Sequence, residues 1–228
     1  RGLFLALPVA PASFLPYMIP LSVLLQVIFL PILGAIADYS RMRKQMLILF
    51  ATLGAVATLA LFFITGNLWW LGGVLYLLAN LSFGAAMVFY NAYLPDISSE
   101  DQRDRVSSFG WAMGYLGGGL LLLANLMLFQ FRDALGLSSS LAVRINLASA
   151  GIWWLGFSLI TWYSLRSRQA RRELPAGKGY ISVGFSQLRQ TLRELKYLPN
   201  TIRYLIAYLI YNDGVQTVIA VSAIYGAE

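Results

Sequence analysis

Apolar blocks of about 20 residues recur along this chain, separated by short basic segments, and that pattern leaves few folds open. A helix rises about 1.5 Å per residue, so such a block is long enough to cross the hydrocarbon of a bilayer, about 30 Å thick. Six spans can be drawn: Leu15–Ala37, Met46–Thr65, Leu68–Leu94, Val106–Gln130, Val143–Leu165 and Arg203–Tyr225. Residues 1–14 are apolar but broken by proline, and read as a loop or as the start of the first span. Only 12% of the residues are charged, against about 25% in a soluble domain. A water-soluble core could not hide so much apolar surface. The expected fold class is an all-α membrane protein.

The loop charges orient these spans. Segments 38–45, 95–105 and 166–203 hold Arg41, Arg43, Lys44, Arg103, Arg105 and nine further basic residues. The opposing loops hold Arg132 and Arg144. Lys and Arg are retained on the cytoplasmic side, so the three basic segments are expected there. The same distribution explains the net charge of +7 without a nucleic-acid partner. The chain has no Cys and no His, so disulfides are excluded and the commonest metal ligand and general base are missing. No cofactor and no metal site is expected. An intramembrane enzyme would need a nucleophile with its base, paired carboxylates or a metal cluster, and the sequence offers none of these.

Within the long basic segment, Phe185, Leu188, Leu192, Leu195 and Leu198 recur at three- and four-residue spacing, with Arg189, Arg193 and Lys196 elsewhere on the wheel. That predicts an amphipathic helix over about 184–198 lying along the membrane surface. It serves either as a covered linker or as a regulatory docking site.

Several polar residues stand out against the apolar background. Asp213 is the one ionisable residue expected deep in a span, where a carboxylate costs about 2.5–3.5 kcal/mol, so it should face a cavity or a partner. Asn212 and Gln216 flank it, and together they suggest a solute or proton site near the midplane. The alternative is a structural hydrogen bond, made cheaper if the acid is protonated. Asn80, Tyr90, Asn91, Tyr115 and Asn125 are further candidates, each readable as packing glue. Gly110, Gly114 and Gly118 lie four apart, a spacing that lets two helices touch backbone to backbone. Asp96, Glu100, Asp101, Arg103, Asp104 and Arg105 form a mixed-charge turn whose acids could also meet Arg43 or Lys44. Trp69, Trp70, Trp153, Trp154 and Trp162 read as interfacial anchors near span ends.

The stretch GAIADYSRMRK, Gly34 to Lys44, places Asp38 at the end of an apolar helix and a basic cluster directly after it. From charge alone it is either a topology anchor or an ion-pair gate that forms in one state and breaks in another. It resembles the signature loop of the major facilitator superfamily through Gly34, Ile36, Ala37, Asp38, Arg43 and Lys44. Tyr39, Arg41 and Met42 depart from that pattern and put a tight glycine turn in doubt. FYNAYLPDISSEDQRDRVSSFGWAMGYLGGG, from Phe89, and YLIYNDGVQT, from Tyr208, look like the vacuole-effluxer, or autophagy-related, branch. The resemblance runs from about Ser13 onward.

The resemblance implies a partial major-facilitator bundle, with six transmembrane helices of an expected twelve: spans two to seven of a longer protein. By it, residues 1–165 form most of the N-terminal bundle without its first helix. Residues 166–202 form the basic cytoplasmic central loop, and 203–228 the first helix of the C-terminal bundle. It further implies a secondary transporter moving small solutes, amino acids among them, by alternating access; the depth of Asp213 in its span makes that residue the candidate for proton coupling. Gly34, Asp38, Arg43 and Lys44 would act as the gate. The expected partners are a solute, protons and the lipid bilayer, the complete protein being monomeric. It would sit in the cell membrane of a bacterium or the vacuolar membrane of a fungus. A lipid scramblase or a non-transporting scaffold is the competing class, distinguished by a polar groove open to lipid.

Overall fold

A computed structural model describes residues 11–167, 170 and 172–225; the side chains of 11–16, 67, 216, 217 and 219–225 lie outside that description. Eight α-helices follow in order: α1 Pro11–Tyr39, α2 Arg43–Ala60, α3 Trp69–Asn91, α4 Leu94–Ile97, α5 Arg103–Gln130, α6 Ser139–Ser164, α7 Tyr180–Leu195 and α8 Pro199–Tyr225. No strand occurs among the described residues. Five segments are long and apolar enough to cross a membrane, on α1, α2, α3, α5 and α6. The sixth expected span falls on α8, a helix of 27 residues. α1 starts four residues ahead of the expected Leu15 and runs unbroken through Pro16, Pro20 and Pro31.

The chain divides into two compact units, Arg1–Ile181 and Ser182–Glu228. Two bonds tie residues that follow 165 to the helices before it. The Tyr93 hydroxyl donates to the Arg166 carbonyl (3.4 Å), and the Arg172 amide donates to the Asp38 carbonyl (3.2 Å). The start of the central segment is thereby fastened to the first unit.

In that unit α2 packs on α3 and α6, and α1 packs on α3. Lipid-facing helices gain nothing from apolar burial between them, so close contact depends on small side chains and interhelical hydrogen bonds. The core follows that rule: Ala35, Ala37, Ala51, Ala55, Ala57, Ala85 and Ala86 are buried, together with the rings of Phe89 and Tyr93. Phe50 stacks on Phe89, ring centres 6.0 Å apart. A Cβ on Gly151 of α6 would lie 2.9 Å from the Ala55 carbonyl oxygen, so α2 and α6 meet backbone to backbone there. A Cβ on Gly54 would fall within the Trp154 ring, and one on Gly84 would meet the Gln26 side chain at 2.6 Å.

One expectation needs correcting. Trp153 and Trp154 stand in the middle of α6, not at a span end; Trp154 fills the gap left by Gly54 and meets Phe83 edge-on at 6.0 Å. The stripe Gly110, Gly114, Gly118 brings no helix backbone close among the described residues. Gly110 faces the Tyr90 hydroxyl, while Gly114 and Gly118 face open space. Polar bonds join α5 to α6 instead: Ser149 Oγ donates to Asn125 Oδ1 (2.9 Å), and Asn146 Nδ2 to the Asn125 carbonyl (3.1 Å).

In the first unit, the segments 38–45 and 95–105 and the start of 166–203 lie together at one end. Residues 38–43, Tyr93, Asp96, Arg166 and Arg172 bond to one another there. Arg144, in an opposing loop by charge, sits at the far end of α2, where it donates to the Phe62 carbonyl (3.3 Å) and lies 5.2 Å over the Phe62 ring. A cation at a helix C-terminus offsets the negative end of the dipole.

In the second unit, α7 is the amphipathic helix, displaced from the expected 184–198 to Tyr180–Leu195. Leu198 lies in the short link to α8 rather than on α7.

Candidate functional site

A cavity of about 470 Å³ lies between the cytoplasmic ends of α3 and α6 and the first half of α5. That is within the about 300–1,000 Å³ usual for small-molecule sites. Apolar and aromatic side chains make most of its wall, including Phe83, Met87 and Trp111. Its polar groups come from Tyr90, Asn91, Ser107, Tyr115 and Thr161. The sequence of each helix explains the opening. The end of α3 carries Tyr90 and Asn91, and α5 opposes them with Gly110 and Gly114. A Cβ on Gly110 would stand 3.3 Å from the Tyr90 hydroxyl, so a larger residue there would displace that ring. Trp111 and Tyr115 lie one turn apart with ring centres 6.3 Å apart.

Below the cavity sits an ion pair. Arg43 Nη1 lies 2.7 Å from Asp96 Oδ2, with Arg43 at 1% exposure and Asp96 at 20%. Arg43 is the first residue of α2, where a cation faces the positive end of the helix dipole and is disfavoured. A guanidinium buried there needs a close carboxylate. Asp96, on the short helix α4 between α3 and α5, supplies it. The minor reading of the mixed-charge turn is therefore the one realised, through Arg43. Glu100 and Arg103 in the same turn pair loosely at 3.5 Å and are exposed.

Asp38 lies one turn before Arg43, and its carbonyl holds the Arg172 amide. A hydrogen bond with Tyr39, then the charges of Tyr39 and Asp38, push the Arg172 guanidinium above its ordinary value. The loop resembling the superfamily signature thus meets two partners: Asp96 through Arg43, and Arg172 through Asp38 and Tyr39. Gly34 faces open space, and Lys44 is half-buried beside Arg43.

The remaining candidates are dispersed. Asn80 Nδ2 donates to Ser22 Oγ, and the Asn80 carbonyl accepts from Gln26 Nε2 (3.2 Å), so it ties α3 to α1 away from the cavity. Asp213 is exposed on α8 in the second unit, with Asn212 half-buried beside it; Gln216 lies outside the described side chains. Among the described residues no hydrogen bond or ion pair reaches the Asp213 carboxylate. Sequence reasoning missed Arg172, whose position near the start of a long basic segment gives no sign of a partner. It also missed Gly54 and Gly151, isolated glycines without a repeating spacing.

Helices of this length and apolarity, joined by basic turns gathered at one end, define an integral, multi-pass membrane protein. The chain belongs to the family described as vacuole effluxer Atg22 like, whose model matches residues 2–228. Among its relatives, an uncharacterized MFS-type transporter, YxiO of Bacillus subtilis, is 28% identical over 95% of this chain and 50% of its own length. Autophagy-related protein 22-1 of Penicillium rubens is 23% identical over 97% of this chain and 49% of its own. Autophagy-related protein 22 of Yarrowia lipolytica is 25% identical over 97% and 50%. The chain spans about half the length of these curated relatives. No solved structure matches it.

Proposed function

We propose that the chain forms part of a secondary transporter that moves a small solute by alternating access, the cavity between α3, α5 and α6 being part of the solute path. The observation that carries this reading is the cavity itself. Its walls come from the cytoplasmic halves of three spans and bring Tyr90, Asn91 and Tyr115 together around an otherwise apolar space. A site reached from one side is what alternating access requires of one of its two states. The Arg43–Asp96 pair beneath it joins the α1–α2 turn to the α3–α5 turn, a place where making and breaking a bond would bias the two states. Family membership and the MFS-type relative support transport as the activity. Amino acids are the first solutes to test, on the strength of the branch resemblance, and Asp213 is the proposed proton carrier.

The test is uptake of amino acids by the complete protein in proteoliposomes, with and without a pH gradient. Gly114→Phe should fill the cavity without meeting backbone, since Gly114 faces open space. Uptake is expected to fall about tenfold or more while the melting temperature holds. Normal uptake by a well-folded G114F protein would remove this cavity from the path.

A further inference from the structure

The helix α7 carries an apolar stripe that stays largely exposed among the described residues. Ile181, Phe185, Leu188 and Leu192 follow one another at spacings of four, three and four, so they share one face. They are 62%, 42%, 38% and 61% exposed. Val183, on the opposite side of the helix, is buried. The apolar face is left open, as are Gln190 and Glu194 on the polar side, whereas a helix in water would bury its apolar stripe. Arg189, Arg193 and Lys196 follow along one flank of the stripe, and the acid on the helix, Glu194, is bonded by Gln190 on the far side.

Position selects what can cover this stripe. Three residues, Lys196 to Leu198, separate the end of α7 from the start of α8, which carries the sixth expected span. Three residues reach at most about 11 Å. The end of α7 is thereby held at the level where α8 enters the bilayer, on the side that retains basic residues. At that level an apolar stripe meets acyl chains, and a basic flank meets phosphate.

We propose that α7 is an in-plane helix that binds an anionic lipid leaflet, Ile181, Phe185, Leu188 and Leu192 entering the headgroup–acyl boundary while Arg189, Arg193 and Lys196 hold lipid phosphates. Long basic side chains at the edge of such a stripe lay their methylenes on the apolar side and send their charge to the headgroups. The contact requires negative lipid and weakens with salt, because phosphate attraction is screened over about 10 Å at 0.1 M. It makes α7 a reader of leaflet charge.

The absence of Cys from this chain allows single labels to be placed in it. In the complete protein, freed of any other Cys and held in lipid nanodiscs, an environment-sensitive fluorophore is attached at Leu188→Cys or, separately, at Gln190→Cys. Nitroxide lipids labelled near the headgroup serve as quenchers. With about 30 mol% phosphatidylglycerol, quenching at 188 should exceed that at 190 about twofold or more. In pure phosphatidylcholine, or with Arg189, Arg193 and Lys196 changed to Gln, the excess at 188 should vanish. Each basic residue lost is expected to weaken the contact about fivefold. A label at 188 that is dry yet beyond reach of the quenchers would mean that protein covers the stripe, and would overturn the proposal. Equal quenching at 188 and 190, or equal behaviour in neutral and anionic lipid, would overturn it too. None of these readouts depends on transport.

Discussion

Arg43 is the residue on which the cytoplasmic end turns. A guanidinium at 1% exposure, at the positive end of α2, is compensated there by Asp96, 2.7 Å away. Removing one partner of a buried pair typically costs about 3–5 kcal/mol, and the partial exposure of Asp96 argues for the lower end. Asp96→Asn should therefore destabilise by about 2–3 kcal/mol, lowering the melting temperature in detergent by about 5–10 °C. Replacing both partners, Arg43→Met with Asp96→Leu, should recover most of that loss, since no unpaired charge is left inside. A double variant as unstable as the single one would show that the two side chains do not act as a pair. Both charges are plain in the sequence, as is their common side of the membrane. Their pairing is not, because five acids and five bases on those turns offer many combinations, and only the backbone path of α4 chooses Asp96.

At the scale of helices, glycine position decides how closely they approach. The spacing of Gly110, Gly114 and Gly118 marks a contact stripe, yet the backbone contact is made by Gly151 against Ala55. A motif shows that a close approach is permitted; it does not supply the neighbour. Gly151→Ala must push its methyl into the Ala55 carbonyl and Leu59, separating α2 from α6 at a cost of about 1–3 kcal/mol. Gly114→Ala meets open space and should change stability by less than about 0.5 kcal/mol. Thermal melts of the two variants in the same detergent compare them directly, and equal stability would count against the α2–α6 contact. The α7 displacement has a similar origin. Leucine spacing located the stripe but extended it to Leu198, where the chain already turns toward Pro199 and α8.

Over the whole molecule, the first unit closes on itself at the cytoplasmic end, with Arg172 fastened to Asp38 and Arg166 to Tyr93. Under the proposed mechanism these ties must loosen when the two halves of the transporter rock. Asp38→Asn removes a charge that helps hold Arg172, so it should change the rate of exchange between states more than solute affinity. Uptake kinetics should show an altered maximal rate at a nearly constant KM; a change confined to KM would refute the gate. Asp213→Asn should abolish the response to a pH gradient while the protein still inserts and folds, and unchanged pH dependence would remove Asp213 from coupling.

The membrane-spanning class and the places of the first five spans were legible in the sequence itself. Apolar length and the distribution of Lys and Arg act on each segment separately, through its own exchange with lipid and water, so each can be read without its neighbours. The tertiary structure alone decided which polar residues share a cavity and which serve only as packing. Tyr90, Asn91 and Tyr115 meet because α3 and α5 converge at one end; Asn80, on the same α3, turns instead to Ser22 and α1. The faces that helices present to one another depend on close packing among small residues far apart in the chain. No local pattern contains that information.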